Sequence, residues 1–265
     1  MLFTVITINY NNKSGLRRTI ESVIGQTFRE FEFVVIDGDS NDGSVDIIKE
    51  YENHITYWVS EKDRGIYHAM NKGVQVANGD YCIFINSGDC FYSNMVLEKI
   101  YKYITETDIL VGKVAIDEKG NVISPPPVGE LTLYHLFSGA IPHQGAFIRT
   151  ELLRKYPYDE NLKISSDWKF FVQSMIFDNC SVRFINEYIA RYDLNGISST
   201  NPERMREEKE KVLCELFPDR VLMDYRKMKA SECLTQGLTP KLRICYGIDR
   251  ILYRIGTILL KLKGV

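Results

Sequence analysis

Four apolar, strand-like runs early in the chain each end in a short polar cluster, and this repeat constrains the fold more than any other feature. The runs read LFTVI, FEFVVI, ITYWV and YCIFI, and helix-like segments separate them. Strands that alternate with helices predict an α/β fold with a mostly parallel sheet and helices on both faces. The carboxyl ends of such strands lie along one edge, where ligands bind. We therefore expect one binding site formed by residues 7–11, 37–40, 60–64 and 86–89.

Composition is that of an ordinary globular protein. The 265 residues are 45% hydrophobic and 26% charged, and the formal net charge of -2 gives no indication of a nucleic-acid partner. The six cysteines form no C-x-x-C pair and no zinc spacing, so we expect a reducing compartment. The N-terminal apolar run is short and follows no basic residues, which predicts a strand rather than a signal peptide. A cytoplasmic protein is therefore expected.

The chain changes character twice. A proline tract at residues 125–127 interrupts the alternation of strands and helices, after a strand and a hairpin turn at residues 117–121. From about residue 201 the pattern is helical, with breaks near Pro218 and Pro240. We therefore predict an α/β domain at residues 1–200, with halves at 1–115 and 116–200, and a helical appendage at residues 201–265.

Local patterns predict several details of the helices. Ser14 is expected to cap the first helix, and Ser166 to cap a helix that begins at Asp167. Residues 94–104 are predicted to form another helix. The buried face of the helix after the third strand is predicted to consist of Tyr67, Met70 and Val74.

Common ligand-binding fingerprints are missing from the sequence. No G-x-G-x-x-G follows the first strand, which disfavours a Rossmann dinucleotide site, and no P-loop motif occurs. The start of a calcium loop at Asp37 is rejected, because Asp42 stands where glycine is required and Ile48 where glutamate is required. An edge rich in acid and amide groups is a poor site for a bare anion. It suits a metal-bridged diphosphate and the polar edges of a nucleoside.

Four motifs at the strand ends resemble those of family 2 glycosyltransferases. They read T-I-N-Y-N-N, E-S-V-I-G-Q-T-F, F-V-V-I-D-G-D-S-N-D-G-S and G-D-Y-C-I-F-I-N-S-G-D. The stretch S-E-K-D-R-G-I-Y-H-A-M-N-K-G is similar to the branch that builds bacterial exopolysaccharides, such as the colanic acid transferases. The resemblance covers about residues 1–195. It implies a Rossmann-related GT-A fold, with a nucleotide-binding half at residues 1–115 and an acceptor half at 116–200.

The resemblance also implies a nucleoside diphosphate-sugar donor, with UDP as the first choice and guanine or thymine nucleotides open. Family members often carry two adjacent acids after the second strand, and here Gly38 replaces the second, so Asp37 acts alone or with Asp39. The resemblance places the loop residue Arg64 near the diphosphate. The alternative is that Arg64 is a solvated surface charge. The implied nucleotide-binding residues are Thr7, Asn9, Tyr10, Asp37, Asp63 and Arg64.

The metal motif departs from the family pattern D-S-D-D, because the chain reads Asn86-Ser87-Gly88-Asp89 and only Asp89 keeps a charge. The implied ligands of Mn²⁺ or Mg²⁺ are Asp89 and Asn86. One carboxylate is a sufficient anchor for an ion that also takes diphosphate oxygens and water, although binding should be weaker than with two acids. The alternative is that Asp89 caps the next helix.

The resemblance assigns the general base to Asp167. Its alternative is a first-turn aspartate that the helix dipole favours. His143 and Gln144 are placed in the cleft near the metal or acceptor, and a half-buried strand histidine is the alternative for His143. Trp168 would stack on an acceptor sugar or, equally, belong to the core.

The expected function is inverting transfer of a sugar from a nucleoside diphosphate-sugar to a glycan or lipid-linked acceptor in bacterial surface polysaccharide synthesis. A sugar nucleotidyltransferase is one alternative, although its glycine- and lysine-rich phosphate loop is missing. A non-catalytic nucleotide- or glycan-binding module is the other, because the metal motif is reduced.

The C-terminal segment, residues 239–265, combines an apolar stripe with a basic face. It contains six Lys or Arg residues and one Asp, and four of the basic residues share one helical face. This pairing predicts an interfacial helix that docks on an anionic membrane surface. The alternative is packing against the catalytic domain or a homodimer partner, since the same stripe serves both.

Overall fold

The computed structural model describes residues 2–116, 122–123, 131–193 and 201–235. The chain forms two compact units, residues 1–209 and residues 210–265. Three sequence predictions lie outside the described residues: the hairpin turn at 117–121, the proline tract at 125–127 and the basic amphipathic helix at 239–265.

The described part of the first unit is built around one sheet of nine strands. The strands are β1 (Phe3–Asn9), β2 (Phe31–Asp37), β3 (Tyr57–Ser60), β4 (Tyr81–Phe84), β5 (Cys90–Phe91), β6 (Ile109–Ala115), β7 (Val122–Ile123), β8 (Ala146–Arg149) and β9 (Val182–Arg191). Their spatial order is β3-β2-β1-β4-β8-β6-β9-β5, and β7 pairs with β6.

The first four strands form the parallel half of the sheet. Strand β1 pairs in parallel with both β2 and β4, and β2 pairs in parallel with β3. Asn9 lies in register with Asp37, and Asp37 with Ser60, so these strands end at a common edge. Val5 and Val34 are fully buried, because strands covered on both faces carry apolar side chains in both directions. The predicted α/β fold class is confirmed.

The second half of the sheet is mixed. Strand β8 pairs antiparallel with β4 and β6, whereas β9 pairs parallel with β6 and antiparallel with β5. The pairing of β5 with β9 places Cys90 opposite Arg191. This contact brings the segment after β4 against the end of β9, where the candidate site lies.

Helices cover the sheet, and two more helices follow its last strand in the sequence. In the described residues they are α1 (Lys13–Ile24), α2 (Ser44–Glu50), α3 (Ile66–Val76), α4 (Val96–Tyr101), α5 (Leu133–Ser138), α6 (Thr150–Lys155), α7 (Ser166–Val172), α8 (Pro202–Leu216) and α9 (Asp219–Thr235). Short 3₁₀ turns occur at Glu52–His54 and His143–Gly145, and a π turn occurs at Gln173–Phe177.

The structure tests two of the local predictions directly. The predicted apolar face of α3 is confirmed, since Tyr67, Met70 and Val74 are all buried. The cap predicted at Ser14 is wrong: α1 begins at Lys13, and the Asn12 side chain accepts the N–H of Gly15.

The other helix predictions concern ends and breaks. Helix α4 is shorter than the predicted 94–104. Helix α7 begins one residue before Asp167, and Ser166 is its first residue rather than its cap. The predicted break near Pro218 separates α8 from α9, whereas Pro240 lies outside the described residues.

Candidate functional site

Asp37, the last residue of β2, is fully buried and accepts hydrogen bonds at both carboxylate oxygens. Its Oδ1 accepts from Asn9 Nδ2 at 2.7 Å and from Ser40 Oγ at 2.6 Å. Its Oδ2 accepts from the Ser40 N–H at 2.9 Å and from Ser60 Oγ at 2.6 Å. Asp37 therefore links the ends of β1, β2 and β3 by hydrogen bonds at the edge where the nucleotide is predicted to bind.

A gap beside Gly38 separates an aromatic ring from a carboxylate. A Cβ atom at Gly38 would lie 3.2 Å from Asp63 Oδ2 and 3.3 Å from Tyr10 Cδ2. Asp63 Oδ1 is held by Lys72 Nζ at 2.6 Å and by His68 Nδ1 at 2.8 Å. Tyr10 is 69% exposed. Glycine at position 38 therefore leaves a slot between an exposed ring and an anchored carboxylate.

Two further predicted nucleotide residues are already engaged. Thr7 is buried, and its hydroxyl donates to the Ile85 carbonyl, which ties β1 to the end of β4. Arg64 forms an ion pair with Glu160 at 2.7 Å while its side chain stays 69% exposed. The structure thus places Arg64 on the surface, in keeping with the solvated-charge alternative.

Asp89 is buried beyond the end of β4 with few fixed partners. Its Oδ1 accepts the Asp193 N–H at 2.9 Å, and the Gln144 side chain forms a hydrogen bond to it. Burial raises the pKa of Asp89 to about 7, and the charge of Asp193 acts in the same direction. The alternative that Asp89 caps the next helix is wrong, because α4 begins at Val96 and its cap residue is Met95.

The residues around Asp89 fit a divalent cation. A Cβ atom at Gly88, where φ is 108°, would lie 3.0 Å from Asp193 Oδ2, so this glycine admits a second carboxylate. Asn86 Oδ1 is buried and has no hydrogen-bond partner in the described residues. These are hard oxygen donors of the kind that Mg²⁺ and Mn²⁺ prefer. Within the described ranges no three acidic, His or Cys side chains form a metal site by themselves, so the ion would also need donor oxygens from a ligand.

Asp167, in the first turn of α7, is partly exposed and is oriented by a tyrosine. The buried Tyr67 donates its hydroxyl to Asp167 Oδ1 at 3.1 Å. Burial raises the pKa of Tyr67 well above its ordinary value, and the negative charge of Asp167 adds to this effect. Tyr67 therefore stays a proton donor, and the second oxygen of Asp167 carries the acceptor capacity.

His143 lies in the 3₁₀ turn before β8 and is buried, rather than half-buried on a strand. Its Nε2 is 2.6 Å from Tyr158 Oη, and its ring packs on Phe84 with centroids 4.8 Å apart. Burial lowers the pKa of His143, and the charge of Asp167 only partly opposes this. A neutral His143 that holds Tyr158 is the arrangement the site contains.

Trp168 follows Asp167 and is buried. Its indole N–H donates to the Leu136 carbonyl at 2.8 Å, and Lys209 Nζ lies 5.1 Å from its ring centroid. The structure thus places Trp168 in the core, the second of its two alternatives.

Three residues of this site were not identified from sequence. Asp193 follows β9, where the strand-end rule would have found it had it been applied beyond the first four strands. Tyr158 and Glu208 carry no local signal. Glu208 accepts backbone N–H groups just before Asp167.

Comparison with known proteins shows the family of this chain. The family model of glycosyl transferase family 2 matches residues 4–161, more than half of the chain. The chain belongs to glycosyl transferase family 2. An uncharacterized glycosyltransferase of Mycobacterium tuberculosis is 31% identical over 208 residues, which cover 74% of this chain and 76% of the relative. A PGL/p-HBAD biosynthesis glycosyltransferase of the same species is 27% identical and covers 75% of this chain and 80% of its own length.

Solved glycosyltransferases share the family fold with this chain. S. aureus TarS matches with a TM-score of 0.64 at 21% identity over 87% of this chain, which spans only 42% of TarS. TarS 1–349 in complex with UDP-GlcNAc matches with a TM-score of 0.65 at 18% identity, over 97% of this chain and 79% of that one. A Pyrobaculum calidifontis mannosyltransferase in complex with GDP-Man and Mn²⁺ gives 0.57 at 12% identity, with coverage of 98% and 86%. At these identities the likeness shows the GT-A-like fold.

Across residues 2–116, 122–123, 131–193 and 201–235, no helix combines the length and the hydropathy that crossing a bilayer requires.

Proposed function

We propose that this family 2 glycosyltransferase moves a sugar from a UDP-sugar to a hydroxyl of a glycan or lipid-linked acceptor, with inversion at the anomeric carbon. The observation that carries the proposal is the turn His143–Gly145, which is linked to both predicted centres of chemistry. Gln144 bonds to Asp89, and His143 contacts Tyr158, which packs on Tyr67, the tyrosine that donates to Asp167. One turn therefore connects the carboxylate suited to a metal–diphosphate with the carboxylate suited to a base, directly on one side and through two tyrosines on the other.

The slot beside Gly38 supports a nucleoside at the other end of the same edge. Tyr10 offers an exposed ring face, and Asp63 offers an oxygen that faces the slot. A base that stacks on the ring and donates an N–H to the carboxylate fits these two groups. TarS 1–349 is known in complex with UDP and with UDP-GlcNAc, which makes UDP-GlcNAc the first donor to test.

The residues of the chain have distinct roles in the proposed reaction. Asp89 and Asn86, with Asp193 beside them, would hold Mn²⁺ or Mg²⁺, and the bound ion would stabilise the departing diphosphate. Asp167 accepts the proton of the attacking hydroxyl through the oxygen that Tyr67 leaves open. Tyr158 contacts His143 and packs on Tyr67, so it supports the tyrosine that orients this carboxylate.

Release of UDP from UDP-GlcNAc in the presence of Mn²⁺, with water or a glycan as acceptor, tests the proposal. Asp167→Asn should lower the turnover about 10²–10⁴-fold, because an amide cannot accept the proton. Its affinity for the donor should stay near that of the wild type. Asp46→Asn is the matched control, since Asp46 is an exposed first-turn aspartate of α2.

Two outcomes contradict this proposal. Equal turnover in wild type and Asp167→Asn would make Asp167 a helix-stabilising charge and leave the base elsewhere. If the protein binds nucleotide sugars but releases the nucleoside diphosphate from none of them, the non-catalytic alternative is favoured.

The membrane proposal rests on the sequence of residues 239–265 alone. A lipid-linked acceptor would make docking on an anionic surface useful, since each basic residue near such lipid contributes on the order of 1 kcal/mol. Co-sedimentation with anionic liposomes, compared with a chain truncated after Leu238, tests it; a full chain that stays in the supernatant leaves this segment as a packing or homodimer element.

A further inference from the structure

A carboxylate of helix α8, that of Glu208, contacts the loop before Asp167. Glu208 accepts the backbone N–H groups of Lys163 and Ile164 at 2.9 Å and of Ser165 at 3.1 Å. Consecutive backbone N–H groups that converge in this way form an anion-binding nest. Burial alone would raise the pKa of Glu208, but these three hydrogen bonds, together with one from Arg204, outweigh it and lower the pKa. Glu208 is therefore a fixed negative charge in the folded protein.

Other contacts of α8 hold the same segment. The Ser165 hydroxyl donates to the Met205 carbonyl at 3.3 Å. Lys209 Nζ donates to the Gly139 carbonyl at 3.1 Å and lies over the ring of Trp168. Residues 205–209 thus contact the chain on both sides of Asp167.

Helix α7 lacks the usual local means of fixing its start. Ser165 occupies the cap position but makes no side-chain capping bond. Glu208, which is 43 residues away in sequence from Ser165, supplies acceptors to the loop instead. The position of Asp167, two residues later, therefore depends on a contact from a distant helix.

We propose that Glu208 is a positioning residue for Asp167, an inference that rests on the proposed function. Tyr67 orients the carboxylate from one side, and the nest around Glu208 fixes the backbone that carries it. A catalytic group displaced by about 1 Å can lose on the order of 10²-fold in rate. Loss of the nest should therefore lower kcat and leave the KM for the donor nearly unchanged, since no nucleotide-side residue is touched.

Two measurements on the full chain test this role with Glu208→Ala, Glu208→Gln and the control Glu207→Ala. Glu207 is the exposed neighbour on the same helix. Hydrogen exchange of residues 163–165 should quicken at least tenfold in Glu208→Ala and stay unchanged in the control. In Glu208→Ala, the kcat of UDP release from UDP-GlcNAc should fall about 10²-fold. Glu208→Gln should recover part of both signals, because its one amide oxygen can still accept from Ile164 and Ser165.

The outcomes are separable. Fast exchange with a wild-type kcat would overturn the positioning role while leaving the contact itself intact. Unchanged exchange in Glu208→Ala would overturn the contact. If Glu208→Gln loses as much kcat as Glu208→Ala, and both variants also lose thermal stability, Glu208 is merely structural. If the wild type releases no UDP while Glu208→Ala still exchanges fast, the proposed function fails, and the positioning role falls with it.

Discussion

Two buried carboxylates flank strand β1 at the same edge of the sheet, and their surroundings are opposite. Asp37 ends β2, and its two oxygens accept four hydrogen bonds from Asn9, Ser40 and Ser60. Asp89 lies beyond β4 and accepts only a backbone N–H and a Gln144 contact in the described residues. Both are almost inaccessible to solvent.

Burial alone does not distinguish these two carboxylates, whereas the number of their fixed hydrogen-bond donors does. A buried carboxylate with a full set of donors is a cross-link, because its partners would be left unsatisfied without it. One with few donors keeps a desolvation cost that a cation can relieve. We therefore expect the parallel half of the sheet to supply rigidity and the junction with the mixed half to supply the chemistry.

The largest expected effect is on stability, and it separates the two carboxylates. Asp37→Asn places an NH₂ group against side chains that donate, which should lower the free energy of unfolding by about 3 kcal/mol. Asp89→Asn removes a poorly solvated charge and should leave it unchanged or raise it. Asp39→Asn, at an exposed position, should stay within about 0.5 kcal/mol. Urea unfolding without nucleotide measures the stability of all three variants. Equal midpoints for Asp37→Asn and the wild type would contradict the stabilising role of Asp37 as a cross-link.

The sequence predicted the parallel half because its signal is local. Alternation of strands and helices predicts both the parallel arrangement of β1 to β4 and the edge at which their polar ends meet. It did not predict the mixed half, since strands without helical crossovers have no order that periodicity reveals. The site follows the same division: Asn9 and Asp37 meet through strand register, as expected.

The contacts that complete the site join residues far apart in sequence. Asp193 reaches Asp89 across 104 residues, and Tyr67 reaches Asp167 across 100. Such pairings depend on how the strands assemble, which no short motif encodes. Even a local choice was misjudged at α1, because both Asn12 and Ser14 are good caps and only tertiary packing selects between them.

The next effect is on ligand affinity, and the ranking of the two carboxylates reverses. Asp89→Asn should weaken UDP binding in the presence of Mn²⁺ by roughly tenfold or more, because mutation of even an outer partner of a metal ligand costs about 10–100-fold in metal affinity. Addition of a chelator to the wild type should produce the same loss, and the variant should no longer respond to chelator. Asp46→Asn, the exposed control in α2, should bind UDP as the wild type does. Calorimetry measures these affinities; an Mn²⁺-dependent affinity that survives in Asp89→Asn would place the metal elsewhere.

The smallest effect extends the comparison to the opposite edge of the sheet, where Glu32 begins β2 as a second cross-linking carboxylate. Glu32 is buried, and its Oε1 accepts from the Thr4 hydroxyl and from the N–H groups of Asn78 and Gly79. Burial opposes its ionisation, but these hydrogen bonds prevail and lower its pKa below the ordinary value of 4.5.

Glu32→Gln keeps an oxygen at the position of Oε1, so the loss in unfolding free energy should be only about 1 kcal/mol at neutral pH. Because the folded-state pKa is lowered, this contribution is present above the unfolded value of 4.5 and disappears as pH falls through the folded value. The wild type and Glu32→Gln should therefore converge in stability at low pH, while the exposed control Glu30→Gln should match the wild type throughout. Urea unfolding across pH 3 to 7 checks this. A difference that stays constant with pH would mean that geometry, and not the charge on Glu32, stabilises this edge.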